Sequence, residues 1–183
     1  MTAWTQLLVR RLRAKRQKMA TARPSTARQT ISASVRAEGC SGIQSIRIRG
    51  FHLLSDCHPA CAGFHVGPTA PELQLGALGS SLAETFLSQA AERGVPLDDI
   101  EVEITGTLNP PGSPHGEPAT VGPHDIRYTV HLRSPAPADQ IAALHAAVAR
   151  ICPVLNLLVQ PQVIKGRIVH DLGAGSGLTP SPN

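Results

Sequence analysis

Apolar positions along this chain follow two periods. Residues 30–39, "TISASVRAEG", set Ile31, Ala33, Val35 and Ala37 against polar neighbours. Residues 42–55, "GIQSIRIRGFHLLS", carry Ile46 and Ile48 on the even positions and Arg47 and Arg49 on the odd ones. Period two predicts half-buried strands, with Cys40–Gly42 as the hairpin turn between them. Residues 55–71 form a Gly/Pro/His/Cys-rich loop. From Pro71 to Arg93 the period changes to that of a helix, with Leu75, Leu78, Leu82, Phe86 and Ala90 on one stripe. Pro71 suits its first turn, Glu72 complements its positive end, and Gly94 stops it.

Alternation returns with Ile100, Val102 and Ile104. It returns again with Ile126, Tyr128, Val130 and Leu132, after a Pro/Gly/His-rich loop over 109–124. A second helix, within 134–152, places Ile141, Leu144, Val148 and Ile151 on one face, and Pro153 forces an end or a restart. "VLNLLVQ" leads to a last expected strand, "QVIKGRIV", residues 162–169. The order β-β, helix, β-β, helix, β predicts an α+β fold with helices packed on antiparallel strands.

Two ends stand apart. Residues 4–18 space Trp4, Leu7, Leu8 and Leu12 helically among basic residues, a short basic amphipathic helix. A solvated extension, a segment that touches a membrane surface or another protein, and an organellar leader are the readings of this segment. The expected organisation is a basic extension and linker over 1–29, one domain over 30–170 and a flexible tail over 171–183. The tail's "GAGSG" follows a strand with no helix behind it, which is not the context of a phosphate loop.

Charge sharpens this division. The chain of 183 residues has a formal net charge of +4. Residues 1–28 hold eight basic residues and no acid; removing those eight from the 17 leaves nine against 13 acidic residues, a net of −4 for the body. A mildly acidic body with five aromatic residues argues against a nucleic-acid-binding core. No run of 18 apolar residues is present, nor the apolar core of a secretory signal. Four cysteines, Cys40, Cys57, Cys61 and Cys152, are few for a secreted disulfide framework, so a reducing, cytoplasmic setting is expected.

Candidate chemistry is sparse. Cys152, before Pro153, sits where two helical segments meet; it is either a thiol activated by a helix N-terminus or an inert buried one. Cys57, His58, Cys61 and His65 crowd one loop. Their compressed C-x3-C spacing suits a zinc site poorly, and free thiols or a small Cys57–Cys61 disulfide are the other readings. His131 and His145 fall on polar faces, where solvation is the default. Ser81 lies mid-helix in "LGALGSSLAETF", without a nucleophile-elbow context. It reads as a small residue at a close helix contact, its hydroxyl bonded to the preceding turn.

The stretches "GPTAPELQLGALGSSLAETFLSQAAERGVPLDDIEVEITGTL" and "ADQIAALHAAVARICPVLN" resemble the OsmC/Ohr family of osmotically inducible proteins and organic hydroperoxide reductases. The resemblance spans roughly residues 30–168. It implies an OsmC-like intertwined homodimer, with antiparallel sheets from both chains wrapped around two central helices and sites at the dimer interface. Active members are thiol peroxidases. A cysteine in the central helix attacks the hydroperoxide, a second cysteine in the "CP" motif resolves the sulfenic acid, and a dithiol reductant restores the pair. An Arg and a Glu hold the first thiolate and the peroxide.

By that resemblance Cys152 takes the resolving position and Glu72 the glutamate position, whereas Ser81 occupies the peroxidatic cysteine position. Arg36, Arg47 and Arg49 are the candidates for the arginine. No cofactor and no metal are implied; the ligand is a small apolar hydroperoxide or lipid-like molecule. Serine oxygen has no sulfenic state, so weak or absent peroxidase activity is expected. A peroxidase with relocated thiols (Cys57 or Cys61 with Cys152) and a non-enzymatic ligand-binding dimer are the alternatives.

Overall fold

A computed structural model describes residues 28–109 and 122–170, together with 6, 7, 9, 10 and 14. The 171–183 tail, most of the 1–29 extension and the centre of the 109–124 loop lie outside the described residues. Residues 6, 7, 9, 10 and 14 are helical.

Strands β1 (Ser34–Ala37), β2 (Gln44–Ile48) and β3 (Phe51–Ser55) form one antiparallel sheet in that order. A short 3₁₀ turn, Pro59–Cys61, leads to helix α1 (Ala70–Arg93). Strands β4 (Asp99–Thr107) and β5 (His124–Arg133) pair as a second antiparallel sheet. Helices α2 (Ala138–Ile151) and α3 (Pro153–Val159) close the order, bent by 63° at Cys152. The architecture is α+β, as the periodicities predict.

Helix α1 begins where local chemistry sets it. The Thr69 hydroxyl accepts the Glu72 N–H while the Glu72 carboxylate accepts the Thr69 N–H at 2.7 Å, a reciprocal capping box. Gly94 ends it in the left-handed conformation, φ 70°. Thr69→Ala is expected to cost about 1 kcal/mol, read as a lower urea midpoint at unchanged m-value. The Thr69 N–H and hydroxyl hold the Glu72 carboxyl below its ordinary value of 4.5. A lowered folded-state pKa stabilises fully above the unfolded value, and the benefit disappears as pH falls through the folded one. The wild type should therefore lose the cap's contribution below about pH 4.5, and Thr69→Ala should show a shallower acid slope.

Leu78, Leu82, Phe86 and Ala90 of α1 pack with Val95, Leu97, Leu144, Val148 and Cys152 as a single buried cluster. Ile100, Val102, Ile104, Tyr128, Val130 and Leu132 cover it from the second sheet. The expected α2 stripe is corrected at its end: Ile151 is 46% exposed and Ala147 is buried instead. Ile151 is the last residue before the break, so the helix turns away there.

Two further expectations change. The run 42–55 is two strands, because Arg49 takes a left-handed φ of 56° and Ile48 pairs with Phe51 across a two-residue turn. That turn moves the apolar face from Ile46 and Ile48 to Phe51 and Leu53. The expected strand 162–169 is absent: Val163, Ile164 and Ile168 are 89%, 91% and 93% exposed, and no sheet includes them. A strand needs a neighbour for its N–H and C=O groups, and within this chain neither sheet supplies one to this segment.

Candidate functional site

Helices α1 and α2 are joined through β4 and β5, and their docking brings together two side chains 71 residues apart. The Ser81 Oγ lies 3.3 Å from the Cys152 Sγ, where either atom can donate. Cys152 is fully buried. It closes α2 with its N–H on the Val148 carbonyl at 2.9 Å and opens α3 as its N-cap. Its carbonyl accepts the Asn156 N–H at 3.0 Å and the Asn156 side-chain amide at 2.8 Å. Pro153, lacking an N–H, is tolerated as the first residue of α3. The kink that presents the sulfur to α1 is thus built from Cys152, Pro153 and Asn156.

The Ser81 hydroxyl does not bond to its own preceding turn as expected. Thr85 makes that kind of bond, donating its hydroxyl to the Ser81 carbonyl at 2.7 Å, and Ser81 Oγ faces the sulfur. His145 also gains partners. Its Nε2 meets the Tyr128 hydroxyl at 2.8 Å and its ring stacks on Phe86 at a centroid distance of 6.1 Å. Burial raises the Tyr128 pKa, and the nearby Cys152 adds to the shift. His131 pairs with Glu103 at 3.3 Å.

Glu72 is nine residues before Ser81, roughly 13 Å along a helix axis at 1.5 Å per residue. Within the chain its carboxylate serves the Thr69 cap, with the His58 and His65 side chains close enough to favour its charge. It stands at the end of an open groove of about 410 Å³ between α1 and β4, lined by Leu75, Gly76, Gly79, Ser80, Val102 and Ile104. A Cβ at Gly79 would sit 3.4 Å from Ile104 Cγ1, so glycine there lets helix and sheet approach closely. The Gly76 and Gly79 spacing in "LGALG" is the sequence signal for this groove.

The arginine candidates separate by register. Arg36 and Arg47 occupy the same sheet face, since Ser34 pairs with Arg47 and Arg36 with Ser45. Arg49 sits in the β2–β3 turn, its guanidinium 5.2 Å from the Phe51 ring centroid. Cys57 donates its thiol to the Gly42 carbonyl at 3.5 Å, Cys61 is exposed in the 3₁₀ turn, and all four cysteines are free.

Sequence reasoning misses Asp56. Its carboxylate is buried and accepts the backbone N–H groups of Cys57, Phe64 and Val66 at 2.7, 2.8 and 3.2 Å. Burial pushes its pKa up, but these N–H groups outweigh it and hold the carboxyl below its ordinary value. Around it Gly63 and Gly67 are obligatory, because a Cβ would come within 1.8 Å of the Cys57 carbonyl oxygen and 2.7 Å of that of Leu54. The hint in the sequence is an acid at the end of a strand, opening a Gly-rich loop.

This fold and its buried pair define a class: α+β proteins whose long central helix meets a second, broken helix at a cysteine. The sequence matches the model of the OsmC-like protein family over residues 63–165, and the chain belongs to that family. Solved structures agree at the level of fold. An OsmC-like protein from Mycoplasma pneumoniae is 17% identical with a TM-score of 0.62, covering 72% of this chain and 89% of that one. An organic hydroperoxide resistance protein OsmC from Legionella pneumophila is 15% identical with a TM-score of 0.53, covering 73% and 92%. The organic hydroperoxide resistance protein OhrB of Bacillus subtilis is 17% identical with a TM-score of 0.50, covering 73% and 93%. No curated protein matches the sequence.

Proposed function

We propose that this OsmC-family protein has weak or no hydroperoxide reductase activity, because a hydroxyl stands where the family's attacking thiol would stand. The observation that carries this reading is the 3.3 Å contact of Ser81 Oγ with Cys152 Sγ. The two positions that the family resemblance pairs do meet, and one of them cannot be oxidised through a sulfenic acid. A thiol is brought to thiolate by modest environmental shifts from about 8.5, whereas an alcohol without an adjacent base is not activated as a nucleophile. Cys152 alone is enclosed by the core, and Cys57 is engaged with Gly42, which disfavours relocated thiols.

The test is cumene hydroperoxide consumption with a dithiol reductant. Wild-type protein should consume it no faster than Cys152→Ala. Clear catalytic turnover by the wild type, lost in Cys57→Ala or Cys61→Ala, would sink the proposal in favour of relocated thiols.

The same reading makes the protein a homodimer that retains a site for a small apolar or lipid-like molecule. Val35, Phe51 and Leu53 leave the apolar face of the first sheet 61%, 61% and 41% exposed, and the 162–169 segment lacks a strand partner among the described residues. A second copy can cover both at once. Sedimentation equilibrium should give twice the chain mass; a strictly monomeric mass at micromolar concentration would contradict this arrangement.

A further inference from the structure

The open groove between α1 and β4 has a built polarity. Glu72, Leu75, Gly76, Gly79 and Ser80 fall at the i, i+3, i+4, i+7 and i+8 positions of α1, so they share one helix face. Val102 and Ile104, alternate residues of β4, line the groove from the sheet. Leu75, Val102 and Ile104 make its wall apolar. A Cβ at Gly76 would meet no atom within 4 Å, so the groove lies open beside the helix backbone there. From Glu72 to Ser80 the helix rises about 12 Å, and the groove holds about 410 Å³, a volume suited to a small ligand.

One end of this groove is an anion. Among the described residues, Glu72 is the only charged side chain that lines it. Its Oε2 accepts the Thr69 N–H at 2.7 Å and the Thr69 hydroxyl at 2.9 Å, both neutral donors, and these bonds favour the ionised carboxylate. No lysine or arginine forms an ion pair with Glu72 among the described residues. Its imidazole neighbours are His58 and His65. His58 Nδ1 accepts the Ala60 N–H at 3.2 Å, which an uncharged ring does and an imidazolium cannot. The groove is thus an apolar channel that ends on a carboxylate without a fixed cationic partner among the described residues.

Resting on the reading that the protein retains a site for a small apolar or lipid-like molecule, we propose that this groove selects a cationic amphiphile. The ligand is an alkylammonium whose head pairs with Glu72 and whose chain lies over Gly76 and Gly79 against Leu75, Val102 and Ile104. The chain removes apolar wall from water, and the head supplies the positive charge that Glu72 lacks. A fatty carboxylate carries the same chain but sets like charge against Glu72. A hydrated polyamine or metal ion would use the carboxylate but leave the apolar wall uncovered.

The test is isothermal titration calorimetry of the full chain at about pH 8, above the titration of a solvated imidazole. The probes are octylammonium, octanol and octanoate, which share one chain and differ in head-group charge. Octylammonium is expected to bind about fivefold more tightly than octanol, the scale of one exposed ion pair, and octanoate more weakly than octanol. Added salt should narrow these differences. Glu72→Gln should bring octylammonium to the level of octanol. Glutamine at this position still completes a capping box, so the thermal midpoint should stay close to that of the wild type. Gly76→Leu should weaken all three probes, because its side chain would enter the open groove. Octanol or octanoate binding as tightly as octylammonium overturns the proposal while leaving the apolar site in place. A preference for octylammonium that survives Glu72→Gln, or binding that Gly76→Leu leaves unchanged, also overturns it. If none of the three probes binds, the retained apolar site fails together with the proposal.

Discussion

Ser81→Cys should create a hydroperoxide reductase. With a dithiol reductant, turnover of cumene hydroperoxide is expected to rise by two orders of magnitude or more, equivalent to at least about 2.7 kcal/mol of barrier. The reason is geometric. The Ser81 oxygen already lies 3.3 Å from the Cys152 sulfur, and a thiol at this position carries a longer bond toward it. Attack of the introduced thiolate on the distal peroxide oxygen would release an alcohol and leave a sulfenic acid beside Cys152. Condensation with the Cys152 thiol would expel water and form the disulfide, near 2.05 Å between sulfurs. The oxidised variant should therefore lose two free thiols by mass and titration, whereas Ser81→Cys/Cys152→Ala should lose the disulfide. If Ser81→Cys forms the disulfide but turns over no faster than wild type, the missing thiol is not what limits activity. Glu72 and the arginines would then be the groups out of place.

Phe86→Ala should be the most damaging core substitution. Phe86 is 1% exposed, lies in the centre of the buried cluster and supports the His145 ring. Removing a buried phenylalanine loses its transfer energy and leaves a cavity, about 3–5 kcal/mol. In a domain of this size that corresponds to a fall in Tm of roughly 6–20 °C. Because Phe86 and Ser81 share α1 and face the same helix α2, the loss should also loosen the Ser81–Cys152 contact. In the Ser81→Cys background, Phe86→Ala should slow disulfide formation. A Tm within a degree or two of wild type would mean that the core does not close around this ring.

How far these features can be read from residue order depends on the range of the interaction that makes them. Periodicity predicts helix α1 from Pro71 to Arg93, and it runs from Ala70 to Arg93. Its limits are set by Glu72 and Gly94, groups that act within one turn. Ile100, Val102 and Ile104 face the core from β4 as their alternation requires, and Tyr128, Val130 and Leu132 do the same in β5, whereas Ile126 is exposed and stays outside the packed cluster. The 42–55 run misleads because alternation survives a two-residue turn with its parity switched, and Arg49 carries no glycine-like signal for φ 56°. Asp56 escapes notice because its partners are backbone N–H groups of residues up to ten positions ahead, which no residue type announces.

By itself, then, the sequence determined the α+β order, the caps of α1, the core stripe Leu78–Leu82–Phe86–Ala90, the family and the presence of serine at position 81. Each of these follows from residue identity and short-range periodicity. Tertiary structure alone decided that Ser81 faces Cys152, that Arg36 and Arg47 share a face while Arg49 does not, and that residues 162–169 find no strand partner among the described residues. Those outcomes depend on how α1, the kinked α2–α3 pair and two separate sheets dock. Docking is governed by side-chain packing and backbone pairing between segments tens of residues apart, and these leave no periodic trace in the order of residues.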